Sequence, residues 1–182
     1  AASRSPCIHE DEAAALGLPL AYRVADFTAL GLHDDDLPKM VRLFAGMGYS
    51  GSNITVPFKQ SVLPMCDVVS DAAATLGAVN TLVFRDGIIR GENTDWVGFS
   101  WLIEREFGDI AGASVAQIGA GGAGSATAYA LARLGAARIG LFDPDQSKAR
   151  ALIERLAPHF PACRFDVAQS AESAITGCDG IV

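Results

Sequence analysis

Asn53-Ile54-Thr55-Val56-Pro57-Phe58-Lys59 and, further along, Asn93-Thr94-Asp95 carry an amine, a carboxylate, two amides and two hydroxyls. Both runs fall at strand ends and helix starts, so their side chains can converge on a polar small molecule. A third run, Gly119-Ala120-Gly121-Gly122-Ala123-Gly124, follows an apolar stretch and opens a helical one, the context that a dinucleotide-binding loop requires. Gly119 allows the tight turn, Gly121 lets backbone approach a pyrophosphate, and Gly124 lets helix and strand pack closely. Glycine-rich turns are common, so the loop alone is weak. Asp143 adds to it by closing the next strand 24 positions after Gly119, about where such folds keep the carboxylate that binds the adenosine ribose. A carboxylate there accepts from a 2'-hydroxyl and repels a 2'-phosphate, which favours NAD over NADP. Asp145 adds a second negative charge, and Lys148 is the only nearby cation in the following turn. The alternative for Asp143 and Asp145 is a turn and a helix cap ahead of Gln146.

These residues need elements to hold them. Ser5 reads as an N-cap with Pro6 at the first helical position, and the helix runs to a stop at Gly17. Ser3 and Ser5 at that N-terminus suit an anion, although simple capping accounts for them too. Leu20 to Val24 alternates as a strand, Asp36 to Met47 has helical spacing, and Tyr49 to Thr55 is the next strand, with Asn53 and Thr55 on one side of it. Pro57 starts a helical turn that carries Lys59, an unfavourable place for a cation with no task. Asp71 to Leu76 is a short helix closed by Gly77. Val79 to Arg85 and Ile88 to Arg90 form a hairpin about Asp86-Gly87, with Asn80 early on its first strand. Thr94 caps the helix through Trp96, Phe99, Trp101, Leu102 and Ile103, leaving Asp95 in its first turn; there it either serves a ligand or complements the dipole. Trp96 and Trp101 read as packing residues. Val115 to Ile118, Gly122 to Leu134 and Arg138 to Phe142 then give strand, helix and strand, with a helix from Gln146 to Ala157 beyond.

The fold class expected is α/β and two-lobed across a cleft: an α/β substrate-binding domain over 1–97 and a Rossmann-like, doubly wound dinucleotide-binding domain over 98–182. Half the residues are apolar, enough for a real core. With 14 basic against 21 acidic side chains the net charge is -7, the wrong sign for nucleic acid. No apolar stretch reaches the roughly 18 to 20 residues that span a bilayer and no signal peptide opens the sequence, so a cytoplasmic protein is expected. Cys7, Cys66, Cys163 and Cys178 form no C-x-x-C pair; they read as buried free thiols, with no metal site expected. The start on a serine-rich loop and the close on a strand just begun, Cys178 to Val182, read as a piece of a longer chain.

With those residues in hand the chain resembles the shikimate dehydrogenase family, and within it the NAD-dependent quinate/shikimate dehydrogenases. Ser3-Arg4-Ser5-Pro6 is similar to the family's S-x-S-P segment and Asn53 to Lys59 to its N-x-T-x-P-[FYH]-K motif; Gly77-Ala78-Val79-Asn80-Thr81 and Asn93-Thr94-Asp95 resemble the next two. The resemblance implies that Ser3 and Ser5 hold a substrate carboxylate and that Asn53, Thr55, Asn80 and Asp95 bind ring hydroxyls. It also implies Lys59 and Asp95 as the catalytic pair and Gly119 to Gly124 as the pyrophosphate loop. The implied substrate is a cyclic polyol carboxylate, shikimate or quinate. Oligomeric state stays open, a homodimer included. Asp143-Pro144-Asp145 stands where NADP-using members carry a basic segment, and His9, followed by Glu10 in place of the usual Asn, reads as structural. The family's N-terminal strand, its N-A-T-P-x-G-M-like stretch and its C-terminal helix are not in this sequence, which leaves open whether this chain alone is active.

Oxidising a secondary alcohol with a nicotinamide needs one group to take the hydroxyl proton, and Lys59 is the candidate, with Asp95 orienting it. Two other classes are weighed against this. A non-catalytic sensor of a shikimate-like ligand or a nucleotide would fit if Lys59 or Asp95 were missing, and both are present. A dehydrogenase acting on a folate would not need the S-x-S-P and N-T-D segments.

Overall fold

The computed structural model describes residues 3–182 and divides into two compact units, one ending at Leu37 and the other spanning Pro38–Val182. In the first, helix α1 (Ser5–Ala15) has Pro6 in its first turn, where a missing N–H costs nothing. Ser5, expected at the N-cap, is instead the first helical residue. Arg4 takes the cap position without a side-chain bond, and the Ser3 hydroxyl accepts the Ser5 N–H at 3.3 Å. The helix closes as expected on Gly17, whose φ of +70° suits a residue without a Cβ. Leu20 to Val24 forms no strand, contrary to the expectation from its alternation. A strand exists only where a neighbour completes its ladder, and here the Tyr22 N–H finds a side chain instead, donating to Glu10 Oε1 at 2.7 Å. His9 stacks on the Tyr22 ring at 5.1 Å, in keeping with a structural histidine.

The second unit holds two sheets. A short 3-10 turn, Asp34–Asp36, leads into α2 (Leu37–Gly46). The first sheet contains β1 (Gly51–Asn53), β2 (Val68–Val69), β3 (Thr81–Arg85) and β4 (Ile88–Glu92) in the order β1-β3-β4-β2. β1 is shorter than the sequence suggests because its ladder with β3 ends at the pair Asn53 and Thr81. Beyond it lie a cis Val56–Pro57 bond and a series of turns that carries Lys59 and ends in a short 3-10 helix, Leu63–Met65. The β3–β4 hairpin turns on Asp86 and Gly87, both with positive φ, the geometry that an Asp-Gly pair favours. Between β2 and β3, α3 (Asp71–Leu76) starts on Ser70, whose hydroxyl accepts the Ala73 N–H, and ends on Gly77 at φ +63°.

α4 (Asp95–Phe107) leads to the second sheet, and the expected division at 97/98 falls within this helix. β5 (Ser114–Ile118), α5 (Gly122–Arg133), β6 (Arg138–Phe142), α6 (Gln146–Leu156), β7 (Arg164–Val167), α7 (Ala171–Ile175) and β8 (Gly180–Ile181) follow. All the strands are parallel, in the order β7-β6-β5-β8. Counted from β5 that order is 3-2-1-4, the mononucleotide-binding half of a doubly wound fold, with its switch point between β5 and β8. The glycine loop therefore leaves β5 at the carboxyl end, where such sheets bind ligands.

One core joins α3 to the second sheet: Leu76 packs with Ala128, Tyr129, Leu141, Leu152 and Leu156. Burying a leucine such as Leu76, 1 % exposed, stabilises by about 1.5–3 kcal/mol. Arg155 of α6 adds a hydrogen bond to the Leu76 carbonyl at 2.5 Å. Trp96 packs against this core and edges onto Tyr129 at 5.3 Å, as a packing residue should. Trp101 does not: it is exposed, under the guanidinium of Arg105. Nor are the thiols uniformly buried. Cys163 is, Cys66 and Cys178 are partly so, and Cys7 is exposed because α1 turns it outward. No helix among the described residues is long and apolar enough to cross a membrane.

Candidate active site

Lys59 lies in the turns after β1, and its carbonyl accepts the Val79 N–H at 2.8 Å, which ties that turn to the start of β3. Its amine donates to Asp95 Oδ2 at 2.6 Å, across 36 positions of sequence. Asn80 completes the cluster. Only 8 % exposed, it donates from Nδ2 to Asp95 Oδ1 at 2.8 Å and to Thr94 Oγ1 at 3.0 Å. Its Oδ1 accepts the Thr94 N–H at 2.9 Å and the Thr81 hydroxyl at 3.0 Å. The carboxylate is thereby held at both oxygens, while the Lys59 and Asp95 side chains keep 23 % and 33 % of their surface open. A polar ligand can reach a pair that is already oriented.

Thr94 occupies the N-cap of α4, but its side chain makes no capping bond, contrary to expectation. Asn93 does that work: its Oδ1 accepts the Asp95 N–H at 3.1 Å, and its Nδ2 donates to the Ala78 carbonyl at 3.0 Å. Buried at 5 % exposure, Asn93 joins the loop before β3 to the start of α4. Its place directly before the helix was the signal available in the sequence. Asn53 and Thr55 are exposed on either side of the buried Ile54, so the alternation expected of them continues past the end of β1. Ser3 and Ser5 belong to the N-terminal unit.

The glycine loop opens α5 with Gly121 at the N-cap and no side-chain cap, so the first N–H groups of the helix carry no protein side chain. A Cβ on Gly121 or Gly122 would meet nothing within 4 Å, whereas one on Gly124 would lie 2.3 Å from the Gly119 carbonyl oxygen. Open space at the first two and a tight crossing at the last match a loop that takes a pyrophosphate on one side and packs on the other. Residues 119–124 thus fit a dinucleotide. Asp143 sits beside them, accepting the Ala120 N–H on Oδ2 and the Asp145 N–H on Oδ1, each at 2.8 Å. Two of the roughly four acceptor positions of a carboxylate are used in this way, which leaves capacity for a ribose. Asp145 caps α6 through the Ser147 N–H, and the Ser147 hydroxyl holds its carboxyl below the usual range. Lys148 is 4.0 Å from Asp145. Among the described residues no three His, Cys, Asp or Glu side chains gather as a metal would need.

Residues 1–82 match the family described as shikimate dehydrogenase substrate binding domain. Over 182 residues the chain is 41 % identical to a shikimate dehydrogenase (NADP(+)) of Streptomyces avermitilis, covering 99 % of this chain and 62 % of that protein. It is 39 % identical to a quinate/shikimate dehydrogenase (NAD(+)) of Corynebacterium efficiens, covering 99 % and 64 %. Its fold superposes on the quinate dehydrogenase of Corynebacterium glutamicum in complex with NAD, with a TM-score of 0.88, 38 % identity and coverage of 98 % and 64 %. The chain therefore spans less than two thirds of the length of these relatives.

Proposed function

Because the chain belongs to the shikimate dehydrogenase family, we propose that the full-length protein transfers a hydride between a nicotinamide cofactor and the secondary alcohol of shikimate or quinate, the ketones being 3-dehydroshikimate and 3-dehydroquinate. The observation that carries this is the Lys59 amine 2.6 Å from the Asp95 carboxylate, with Asn80 on the other oxygen.

Alcohol oxidation removes a hydride from carbon and a proton from oxygen; the nicotinamide, when bound, supplies the hydride chemistry. In the reducing direction the charged Lys59 gives a proton to the ketone oxygen and supports the negative charge developing there. In the oxidising direction Lys59 first releases a proton to solvent and then, as the neutral amine, takes the one from the hydroxyl. Asp95 orients both the amine and the hydroxyl. Asn53 and Thr55 bind the other ring hydroxyls, with Asn80 exchanging its bond to Thr94 Oγ1 for one of them, and Ser3 and Ser5 bind the carboxylate. The substrate half is taken as 1–97 and the nucleotide half as 98–182, in a soluble cytoplasmic enzyme.

NAD is the proposed cofactor rather than NADP. Asp143 and Asp145 put two carboxylates at the end of β6, and a 2'-phosphate there would meet like charge. The test is reduction of NAD and of NADP at equal concentration by the full-length protein, with quinate and shikimate side by side. Faster turnover with NAD is expected. A clear NADP preference discards the role of Asp143, and no turnover with either alcohol discards the function.

A further inference from the structure

Gln117 is a buried polar residue near the carboxyl end of β5, 1 % exposed, and both the amide nitrogen and the amide oxygen of its side chain are engaged. Its Nε2 donates to the Gly119 carbonyl at 2.8 Å and to the Gly124 carbonyl at 2.7 Å. Its Oε1 accepts the Thr127 hydroxyl at 3.0 Å. Carbonyls only accept, so the amide has one possible orientation. The residue fastens the first glycine of the loop to the last, and it is not among the atoms within 4 Å of a Cβ built on Gly121 or Gly122.

The Gly119–Ala120 peptide is consequently gripped at both ends. Its carbonyl is held by Gln117 and its N–H by Asp143 Oδ2. A peptide is planar, so fixing the carbonyl fixes where the N–H points. Gly119 has φ +113° and no Cβ, so its own backbone does not dictate which way this peptide faces. A flip would turn the Ala120 N–H away from Asp143 and bring a carbonyl oxygen round to the opposite side.

We infer that Gln117 is a positioning residue for cofactor choice: by holding the Gly119–Ala120 peptide it fixes the Asp143 carboxylate in the direction that accepts a ribose 2'-hydroxyl and opposes a 2'-phosphate. This rests on Asp143 being the ribose-binding carboxylate, as proposed above. Gln117 touches neither substrate nor cofactor; it acts through the loop.

The experiment measures the dissociation constants of NAD and NADP for the full-length protein by titration calorimetry, in the wild type and in Gln117→Met, Thr127→Val and Thr127→Ser. Gln117→Met keeps the volume and removes both donors. It is expected to weaken NAD by about tenfold and NADP by less, so that their ratio falls. Thr127→Val, which takes away the donor to Oε1 and so loosens the amide, shifts the ratio the same way by a smaller factor, and Thr127→Ser, which keeps that donor, does not. Affinity for quinate or shikimate without cofactor stays at the wild-type value, which a general loss of structure would not allow. An unchanged NADP-to-NAD ratio in folded Gln117→Met overturns the inference. Should that variant fail to fold, an unchanged ratio in Thr127→Val does so. A wild type that does not prefer NAD overturns the reading of Asp143 itself, and the inference with it.

Discussion

Asn80 and Asp95 are bound to each other by Asn80 Nδ2 and Asp95 Oδ1 at 2.8 Å, and the same amide takes the N–H of Thr94, the residue from which α4 begins, at 2.9 Å. One side chain thus fixes the carboxylate and the start of the helix that carries it. The oxygen left over, Oδ2, is the one that Lys59 reaches. An amide suits this position because it donates to the carboxylate and accepts from backbone at once, which neither a carboxylate nor an amine can do.

Asn80→Ala removes all of these bonds and leaves the Thr94 N–H without its partner. Urea unfolding is expected to show a loss of about 1–3 kcal/mol. Turnover of the full-length enzyme should fall as well, because Asp95 is then held only through Lys59. Stability within a few tenths of a kcal/mol of wild type would show the network to be dispensable.

The glycines of the loop separate into two kinds. Gly124→Ala drives a Cβ to 2.3 Å from the Gly119 oxygen, so helix and strand must part. A loss of about 1–3 kcal/mol in thermal or urea unfolding is expected, the usual magnitude for overpacking. Gly121→Ala meets nothing within 4 Å and should melt like wild type, yet bind NAD more weakly if backbone approaches the pyrophosphate there. Equal NAD affinity in Gly121→Ala would remove that contact from the account.

Acid sensitivity is expected at the β6–β7 edge. Arg138 and Arg164 are ladder partners, two like charges side by side, and Asp166 bonds both, at 2.8 and 3.0 Å. Burial pushes the Asp166 carboxyl up, but the hydrogen bonds and charges of Arg138 and Arg164 outweigh it and hold it below its ordinary value. A depressed folded value contributes stability above the unfolded value of roughly 3.9, and that contribution is lost as pH falls through the folded one. Asp166→Asn should therefore be less stable than wild type at pH 7, with the gap starting to narrow below about pH 4 and closing as pH falls through the folded value. A difference that does not depend on pH would assign the effect to packing.

Thiol reactivity should follow burial more than number. Burial pushes the Cys163 thiol up to about 11, so almost no thiolate forms at neutral pH. Cys7 is also pushed up, by the hydrogen bond to Asp11, but it is exposed. Brief alkylation of the native protein, read by mass spectrometry, is expected to label Cys7 before Cys163, and the reverse order would contradict the burial seen here.

Elements that hold themselves together locally were legible in the sequence. α3 has the bounds expected of it, Asp71–Leu76, because Ser70 caps one end and Gly77 the other. The hairpin follows from Asp86-Gly87, and the β5–loop–α5–β6 unit from apolar runs set off by glycines. Elements that depend on distant partners were not. Leu20 to Val24 alternates like a strand but finds no ladder, and β2, two residues long, exists only because Val68 and Val69 pair with Arg90 and Gly91 of β4. The site divides in the same way. Lys59, Asn80 and Asp95 stood out as residue types in short motifs, but the bracing by Asn93 and Gln117 did not, since a buried amide is defined by the carbonyls it meets in space.

The most direct test of the Lys59 and Asp95 pairing is a double-mutant cycle in turnover number, comparing full-length wild type, Lys59→Ala, Asp95→Asn and the double variant with NAD and the better of quinate and shikimate. Two groups acting on one proton as a unit predict that each single change lowers turnover by a factor of about 10² to 10⁴ with little change in KM, and that the double variant is scarcely slower than the slower single one. Turnover unchanged in Lys59→Ala, or single effects that multiply in the double variant, would contradict the claim that the two side chains work on the same hydroxyl.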